Sequence, residues 1–130
     1  MAEQSDAGTM FERCMVLNRE AFDAGHYNTA YHALAAALHE AQEQQETHTL
    51  FRVQQVAEEQ IAWIDRVAPA YEHSTSSAVA RGHTSIFTML AHQAHARFLM
   101  LQEERRKEGV LPLRSEQEHG SPEARQARCS

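Results

Sequence analysis

Apolar residues recur at spacings of three and four along most of this chain, which is the periodicity of an amphipathic helix. The pattern predicts four helices, over residues 9–24, 27–45, 48–68 and 77–107. Alternating polar and apolar positions, which are typical of a strand, are missing from the sequence. The first two helices are joined by a very short corner, so they should be antiparallel neighbours. We therefore expect an all-α, four-helix antiparallel bundle over residues 9–108.

Local signals mark several ends of these helices. Thr9 is followed by Glu12, the spacing of a capping box in which each residue bonds a free backbone amide of the first turn. Gly25 follows the first helix, where a left-handed residue commonly closes a helix. Pro69 ends the third helix, because the residue before a proline is disfavoured in the helical region. Gly82 weakens the first turns of the fourth helix, which favours a kink or a later start there.

The two ends of the chain differ from the helical part. Residues 1–8 are mostly polar, and we expect a flexible N-terminus there. Beyond the short apolar run at residues 110–113, charged and polar residues dominate the chain up to residue 130. Such a composition offers too little apolar surface to fold, so we expect residues 109–130 to form a disordered tail.

One apolar stripe on each helix defines the expected core. The stripes comprise Met10, Cys14, Leu17, Ala21 and Ala24; Tyr27, Ala30, Leu34, Ala37, Leu38 and Ala41; Leu50, Val53, Ala57, Ile61, Ile64, Val67 and Ala68; and Val79, Ile86, Leu90, Ala94 and Leu101. Several other large apolar residues lie beside the stripes and would either widen the core or form a dimer seam. These predicted interaction residues are Phe51, Trp63, Phe98, Leu99 and Met100.

The first helical hairpin carries a recognisable pattern. Gly25 and Tyr27 stand at its corner, Ala30 and Leu34 follow, and the dipeptide Ala37-Leu38 completes the phrase. Over residues 11–41 this phrase resembles a single tetratricopeptide repeat, a family built of paired antiparallel helices. The resemblance implies binding of a peptide or protein segment in a groove.

The sequence also departs from that family. Cys14 stands where the family prefers Trp, Asn18 where it prefers Gly, and Ala21 where it prefers Tyr, while Gln42 replaces the closing Pro. The phrase does not recur about 34 residues further on, as a second repeat would require. Two interpretations stay open: a generic Ala-rich hairpin, or one degenerate repeat followed by a divergent hairpin.

Composition and charge narrow the classes of function. The formal net charge is −6, which disfavours binding to the phosphate backbone of nucleic acids. The sequence contains no run of apolar residues long enough to span a membrane and no leader pattern at its start. The two cysteines, Cys14 and Cys129, form no disulfide or metal-binding motif. We therefore expect a cytoplasmic protein that binds neither nucleic acid nor membrane.

Histidine is abundant, with nine in the chain, and it is the commonest metal ligand in proteins. His92 and His95 are neighbours on the fourth predicted helix and are the candidate metal ligands, which would need further ligands from another helix. Buried metal sites of helical bundles require ligands that face inward, whereas these two point away from the predicted core face. No catalytic motif, phosphate-binding glycine loop or cofactor motif is present, so we expect no cofactor.

Taken together, these patterns favour a small non-enzymatic helical module for protein interaction or assembly. Its partner would be another protein or a second copy of the chain, as in a homodimer. The alternatives are a histidine-dependent metal-binding helical bundle and a sensor of a small ligand bound in a pocket beneath Trp63.

Overall fold

The computed structural model describes the backbone of residues 9–120 and the side chains of residues 9–109. All secondary structure in that range is helical, which confirms the predicted all-α class. The helices are α1 (Met10–Asp23), α2 (Tyr27–Gln44), α3 (Thr47–Val67), α4 (Thr75–Ala80) and α5 (Ile86–Gly120). The predicted flexible N-terminus, residues 1–8, lies outside the described residues.

The chain divides into two units near the middle of α5. The described residues up to Phe98 form the first unit, and the chain from Leu99 onward forms the second. Helix α5 continues to Gly120 and so extends into the range 109–130 for which a disordered tail is predicted. The rest of that range lies outside the described residues.

The corner between α1 and α2 is closed by backbone hydrogen bonds around Gly25. The amide of Gly25 donates to the carbonyl of Phe22 at 3.0 Å, and the amide of His26 donates to the carbonyl of Ala21 at 2.8 Å. These are the two bonds of a Schellman motif, which requires a left-handed residue at the position of Gly25. Its φ of 81° meets that requirement without steric cost. The sequence signal at Gly25 is therefore confirmed.

Contacts between the long helices fix their relative directions in the first unit. Residues of α1 and α3 pair in the same order along both helices, through Glu12 with Arg52, Asn18 with Gln60, and Phe22 with Trp63. Residues of α3 and α5 pair in opposite order, through Gln54 with His95 and Phe51 with Phe98. Helices α1 and α3 are thus parallel, and α5 is antiparallel to α3, as an up-down bundle requires.

The prediction of a single continuous fourth helix over residues 77–107 is wrong. The segment forms two helices instead. The six-residue helix α4 ends at Ala80, and α5 begins at Ile86. The amide of His83 donates to Ala78 at 2.8 Å and the amide of Gly82 donates to Val79 at 2.9 Å, which makes a second Schellman motif. Gly82 has a φ of 77°, so the chain leaves the helix at the glycine that the sequence marks as a weak point.

This break changes which residues of the segment are buried. Val79 was expected on the inner face, but it is 65% exposed because the helix that carries it is short and separate. Ala78 is buried in its place. Ser85 caps the start of α5, since its Oγ accepts from the amide of Phe87 at 3.2 Å. Phe87, beside the predicted stripe, is fully buried and contacts the ring of Tyr31 on α2.

The buried face of α1 also differs from the prediction. Phe11, Met15, Asn18 and Ala21 are buried, whereas Leu17, from the predicted stripe, is 50% exposed. The apolar residues alone favoured the stripe through Leu17, and the polar Asn18 concealed the face that is actually buried. In the other helices most predicted core positions are confirmed, including Ala30, Leu34, Ala37, Leu38, Ala41, Leu50, Val53, Ala57, Ile64, Leu90 and Ala94.

Candidate functional site

Two adjoining clefts lie between the parallel helices α1 and α3. The first, the aromatic cleft, has a volume of about 360 Å³ and is lined by Arg19, Phe22, Asp23, Gly25, Tyr27, Val56, Glu59, Gln60 and Trp63. The second cleft has a volume of about 400 Å³ and is lined by Glu12, Met15, Val16, Asn18, Arg19, Glu20, Arg52 and Val56. Because Arg19 and Val56 line both clefts, we treat the two as one surface, the α1–α3 groove.

Three aromatic rings form one wall of the aromatic cleft. The ring centroid of Phe22 lies 5.2 Å from that of Tyr27 and 5.3 Å from that of Trp63. The centroids of Tyr27 and Trp63 are 6.0 Å apart, and the planes are inclined at 61°. Phe22 lies at the end of α1 and Tyr27 at the start of α2, so the corner at Gly25 brings their rings together. Such inclined ring pairs contribute about 0.5–1.5 kcal/mol each beyond the area they bury.

Tyr71 extends this aromatic cluster from the segment between α3 and α4. Its ring centroid lies 5.2 Å from that of Tyr27, and its hydroxyl donates to Oδ1 of Asn28. Partial burial, together with the neighbouring carboxylate of Glu72, raises the pKa of Tyr71 to about 12. The turn that carries Tyr71 is held by Ser74, which is fully buried and donates from Oγ to the carbonyl of Pro69 at 2.6 Å.

A buried pair of amide side chains lies in the groove between α1 and α3. Asn18 is 1% exposed and Gln60 is 6% exposed. Gln60 donates from Nε2 to Oδ1 of Asn18 at 2.7 Å, and Asn18 returns a bond from Nδ2 to Oε1 of Gln60 at 3.1 Å. Asn18 also donates to the carbonyl of Ala30 at 2.8 Å, which ties α1 to α2 as well. The pair satisfies its buried polar groups and fixes the separation of the two helices.

Charged side chains surround both clefts. In the second cleft the guanidinium of Arg52 lies 2.7 Å from the carboxylate of Glu12 and 5.1 Å from the ring centroid of Phe11. In the aromatic cleft the charged residues are Arg19, Asp23 and Glu59, all of which are exposed. Within the part of the chain that the structure describes, none of these three forms an ion pair. The charges beside the aromatic wall are thus available to a bound molecule.

The five predicted interaction residues lie in separate places. Trp63 belongs to the aromatic cleft. Phe51, which is 43% exposed, contacts Phe98 with 6.0 Å between the ring centroids. Phe51 and Trp63 are about 18 Å apart along α3, at 1.5 Å per residue. Leu99 and Met100 are exposed and belong to the second unit.

The two candidate metal ligands are also exposed, on α5. Nδ1 of His95 lies 3.2 Å from Oε1 of Gln54, and its ring stacks on that of Phe98 with 6.5 Å between centroids. His92 is exposed to solvent. Among the residues with described side chains, no group of three or more His, Cys, Asp or Glu residues is arranged to hold a metal ion.

Sequence reasoning missed Asn18, Gln60 and Val56 as groove residues. A signal for one member of the amide pair does exist, because Gln60 lies three residues after Ala57 and four before Ile64, both of which are on the predicted stripe. Asn18 carries no such signal, because the predicted stripe of the first helix runs through Leu17 and not through Met15. The pattern therefore indicates a buried polar residue at Gln60 but does not identify its partner.

None of the helices in the described range is long and apolar enough to cross a membrane. The likeness of residues 11–41 to a tetratricopeptide repeat stays a prediction. Comparisons of the chain with protein-family models, with curated proteins and with solved structures found no match.

Proposed function

We propose that this chain is a non-enzymatic protein-interaction module whose α1–α3 groove binds a segment of a partner protein. The observation that carries the proposal is the pair of adjoining clefts, joined at Arg19 and Val56 and walled at one end by Phe22, Tyr27 and Trp63. Large aromatic residues beside a concave surface supply most of the binding free energy in many protein interfaces.

The dimensions of the groove suit a short segment of polypeptide. Both cleft volumes fall within the range of roughly 300–1,000 Å³ that is typical of ligand sites. Residues 12–23 of α1 border the groove over about 17 Å, at 1.5 Å of rise per residue. An extended segment rises about 3.3 Å per residue, so about five residues would lie along that length.

The groove combines an apolar floor with a polar rim, which is the usual composition of a protein interface. Met15, Val16 and Val56 supply apolar surface, and the charged residues lie at the edges. The Asn18–Gln60 pair and the corner at Gly25 hold the groove in shape before a partner binds. A preformed site loses less conformational entropy on binding, which favours affinity.

Two further considerations support the proposal. The resemblance of residues 11–41 to a tetratricopeptide hairpin implies binding of a peptide or protein segment. A cytoplasmic location is part of the proposal, since Cys14 is a free thiol in the described range and thiols persist in reducing compartments. No observation on the described residues favours the histidine-dependent metal-binding alternative.

The experiment is selection of short random peptides by display on the purified chain, followed by affinity measurements on variants. Val56→Lys places a charge on the wall shared by both clefts. It should lower the affinity for selected peptides by about tenfold or more, since burying an unpaired charge is costly. Val67→Lys is the matched control, because Val67 is exposed on the same helix and lines neither cleft. The proposal fails if no peptide binds, or if peptides bind the Val56→Lys variant as tightly as they bind the Val67→Lys variant.

Self-association is a second candidate, favoured by the exposed ring of Phe51 against Phe98. Sedimentation over a concentration series should then show a dimer that Phe51→Ser weakens. A strict monomer at high concentration would contradict this second candidate and would leave the groove proposal intact.

A further inference from the structure

We infer that the aromatic cleft receives an arginine side chain of the segment that binds the groove. This inference rests on the proposed function and names the residue of the partner that the cleft recognises. It follows from three observations: the aromatic wall, the unpaired carboxylates beside it, and the shape of the guanidinium group.

The aromatic wall brings three ring systems to the lining of the cleft. Phe22, Tyr27 and Trp63 lie in mutual contact, with all three centroid separations between 5.2 and 6.0 Å. A cation is attracted to an aromatic ring when it lies within about 6 Å of the centroid, and Trp is the strongest of the three rings. One group placed against this wall would therefore reach more than one ring.

The charges beside the wall favour a cation over an anion. Asp23 and Glu59 line the cleft, and among the described residues neither carboxylate has an ion-pair or hydrogen-bond partner. Arg19 opposes them with one positive charge, which leaves these three residues with a net charge of −1. The chain as a whole carries −6, which also attracts a basic segment from a distance.

Guanidinium fits these surroundings better than ammonium does. Its planar group stacks on aromatic faces, is more weakly hydrated, and bonds carboxylates through two parallel N–H groups. The apolar stem of an arginine side chain would lie along Val56, with its guanidinium group against the aromatic wall and within reach of the exposed carboxylates of the cleft. Lysine offers only a compact, strongly hydrated charge.

The test uses peptides selected on the chain and their citrulline versions. Citrulline replaces one guanidinium nitrogen by oxygen, so it keeps the planar shape and removes the charge. Trp63 is the only tryptophan in the chain and lies in the cleft, so its fluorescence reports binding there directly. Replacement of the critical arginine by citrulline should weaken binding about tenfold, as expected for loss of a cation–π contact together with a charge pair.

Substitution of the charged residues around the cleft tests the inference through the sign of the change in peptide affinity. Asp23→Asn and Glu59→Gln should each lower the affinity for the arginine peptide about threefold, whereas Arg19→Met should raise that affinity. Glu58→Gln is the matched control, because it removes the same charge from the neighbouring position of α3 and does not line the cleft. None of these four variants should change the affinity of the citrulline peptide by a comparable factor.

Several results would overturn the inference. The first is that the selected peptides contain no arginine. The second is that the citrulline versions bind as tightly as the arginine peptides. The third is that the charge variants at Asp23, Glu59 and Arg19 change the affinity no more than Glu58→Gln does. Tetramethylammonium that competes as tightly as the whole peptide would show a site for a small free cation instead. If peptides need the groove but not arginine, the inference fails and the proposed function stands; if no peptide binds the groove, both fail.

Discussion

At the scale of single residues, the amide pair of Asn18 and Gln60 does most to set the groove. Two polar side chains occupy positions that an apolar pattern would assign to the core, and each satisfies the other. Removal of one partner leaves the other buried and unsatisfied, which costs more than the hydrogen bond itself contributes. The pair therefore links the stability of the fold to the separation of the groove walls.

Asn18→Ala should lower the free energy of unfolding by about 2 kcal/mol, because Gln60 and the carbonyl of Ala30 both lose a buried partner. Urea denaturation measures the change. Leu17→Ala is the matched control, since Leu17 is half-exposed on the adjacent position of α1 and should change stability by at most about 0.5 kcal/mol. Equal effects of the two substitutions would contradict the role assigned to the pair.

The raised pKa of Tyr71 predicts how the stability of the fold changes with pH. Its pKa is raised from 10.0 to about 12, chiefly by burial and also by Glu72. Between these values the unfolded chain has released a proton that the folded chain still holds, so the stability contributed by Tyr71 falls as the pH rises through that range. Below pH 10.0 the contribution is fully present.

An absorbance titration of tyrosinate should therefore show a step near pH 12, and Tyr71→Phe should remove that step. The same variant should flatten the loss of stability between the two pKa values. Persistence of the late step in the Tyr71→Phe variant would assign it to another tyrosine and contradict the structure of this turn.

At the scale of elements, two glycines decide where α1 and α4 end. Gly25 and Gly82 both adopt positive φ, and both close a helix with the same pair of backbone hydrogen bonds. The sequence predicts the end at Gly25, because left-handed closure is a local property of a few residues. At Gly82 it predicts only a kink or a late start of the fourth helix, and not the end of a separate helix. The sequence could not show that the segment after Pro69 forms a separate short helix, since that depends on contacts such as those of Asp65 with the backbone and side chain of Thr75.

Gly82→Ala should lower the free energy of unfolding by about 1 kcal/mol, because a side chain at positive φ is strained even where space is open. Gly109→Ala is the contrasting control. Gly109 lies inside α5 with no neighbouring atom near the added carbon, so this substitution should leave stability unchanged or raise the helical signal in circular dichroism. The assigned break in the helix is wrong if Gly82→Ala is as well tolerated as Gly109→Ala.

At the scale of the whole molecule, the groove depends on contacts between residues far apart in sequence. Asn18 and Gln60 are 42 positions apart, and Glu12 and Arg52 are 40 apart. Helical periodicity predicts which face of a helix is buried, but not which other helix lies beside it or how two parallel helices are spaced. For this reason the sequence predicts Trp63 as an interaction residue and Tyr27 as a core residue, although the two rings lie side by side in the aromatic cleft.

The most direct test of the groove is a set of ¹H–¹⁵N correlation spectra recorded while a selected peptide is added. We expect saturable shifts of the single indole N–H signal, from Trp63, and of the backbone amides of Arg19, Phe22 and Val56, with little change at Phe51 and Phe98. Shifts confined to Phe51 and Phe98, with an unmoved indole signal under saturating peptide, would contradict the proposal that the α1–α3 groove is the binding site.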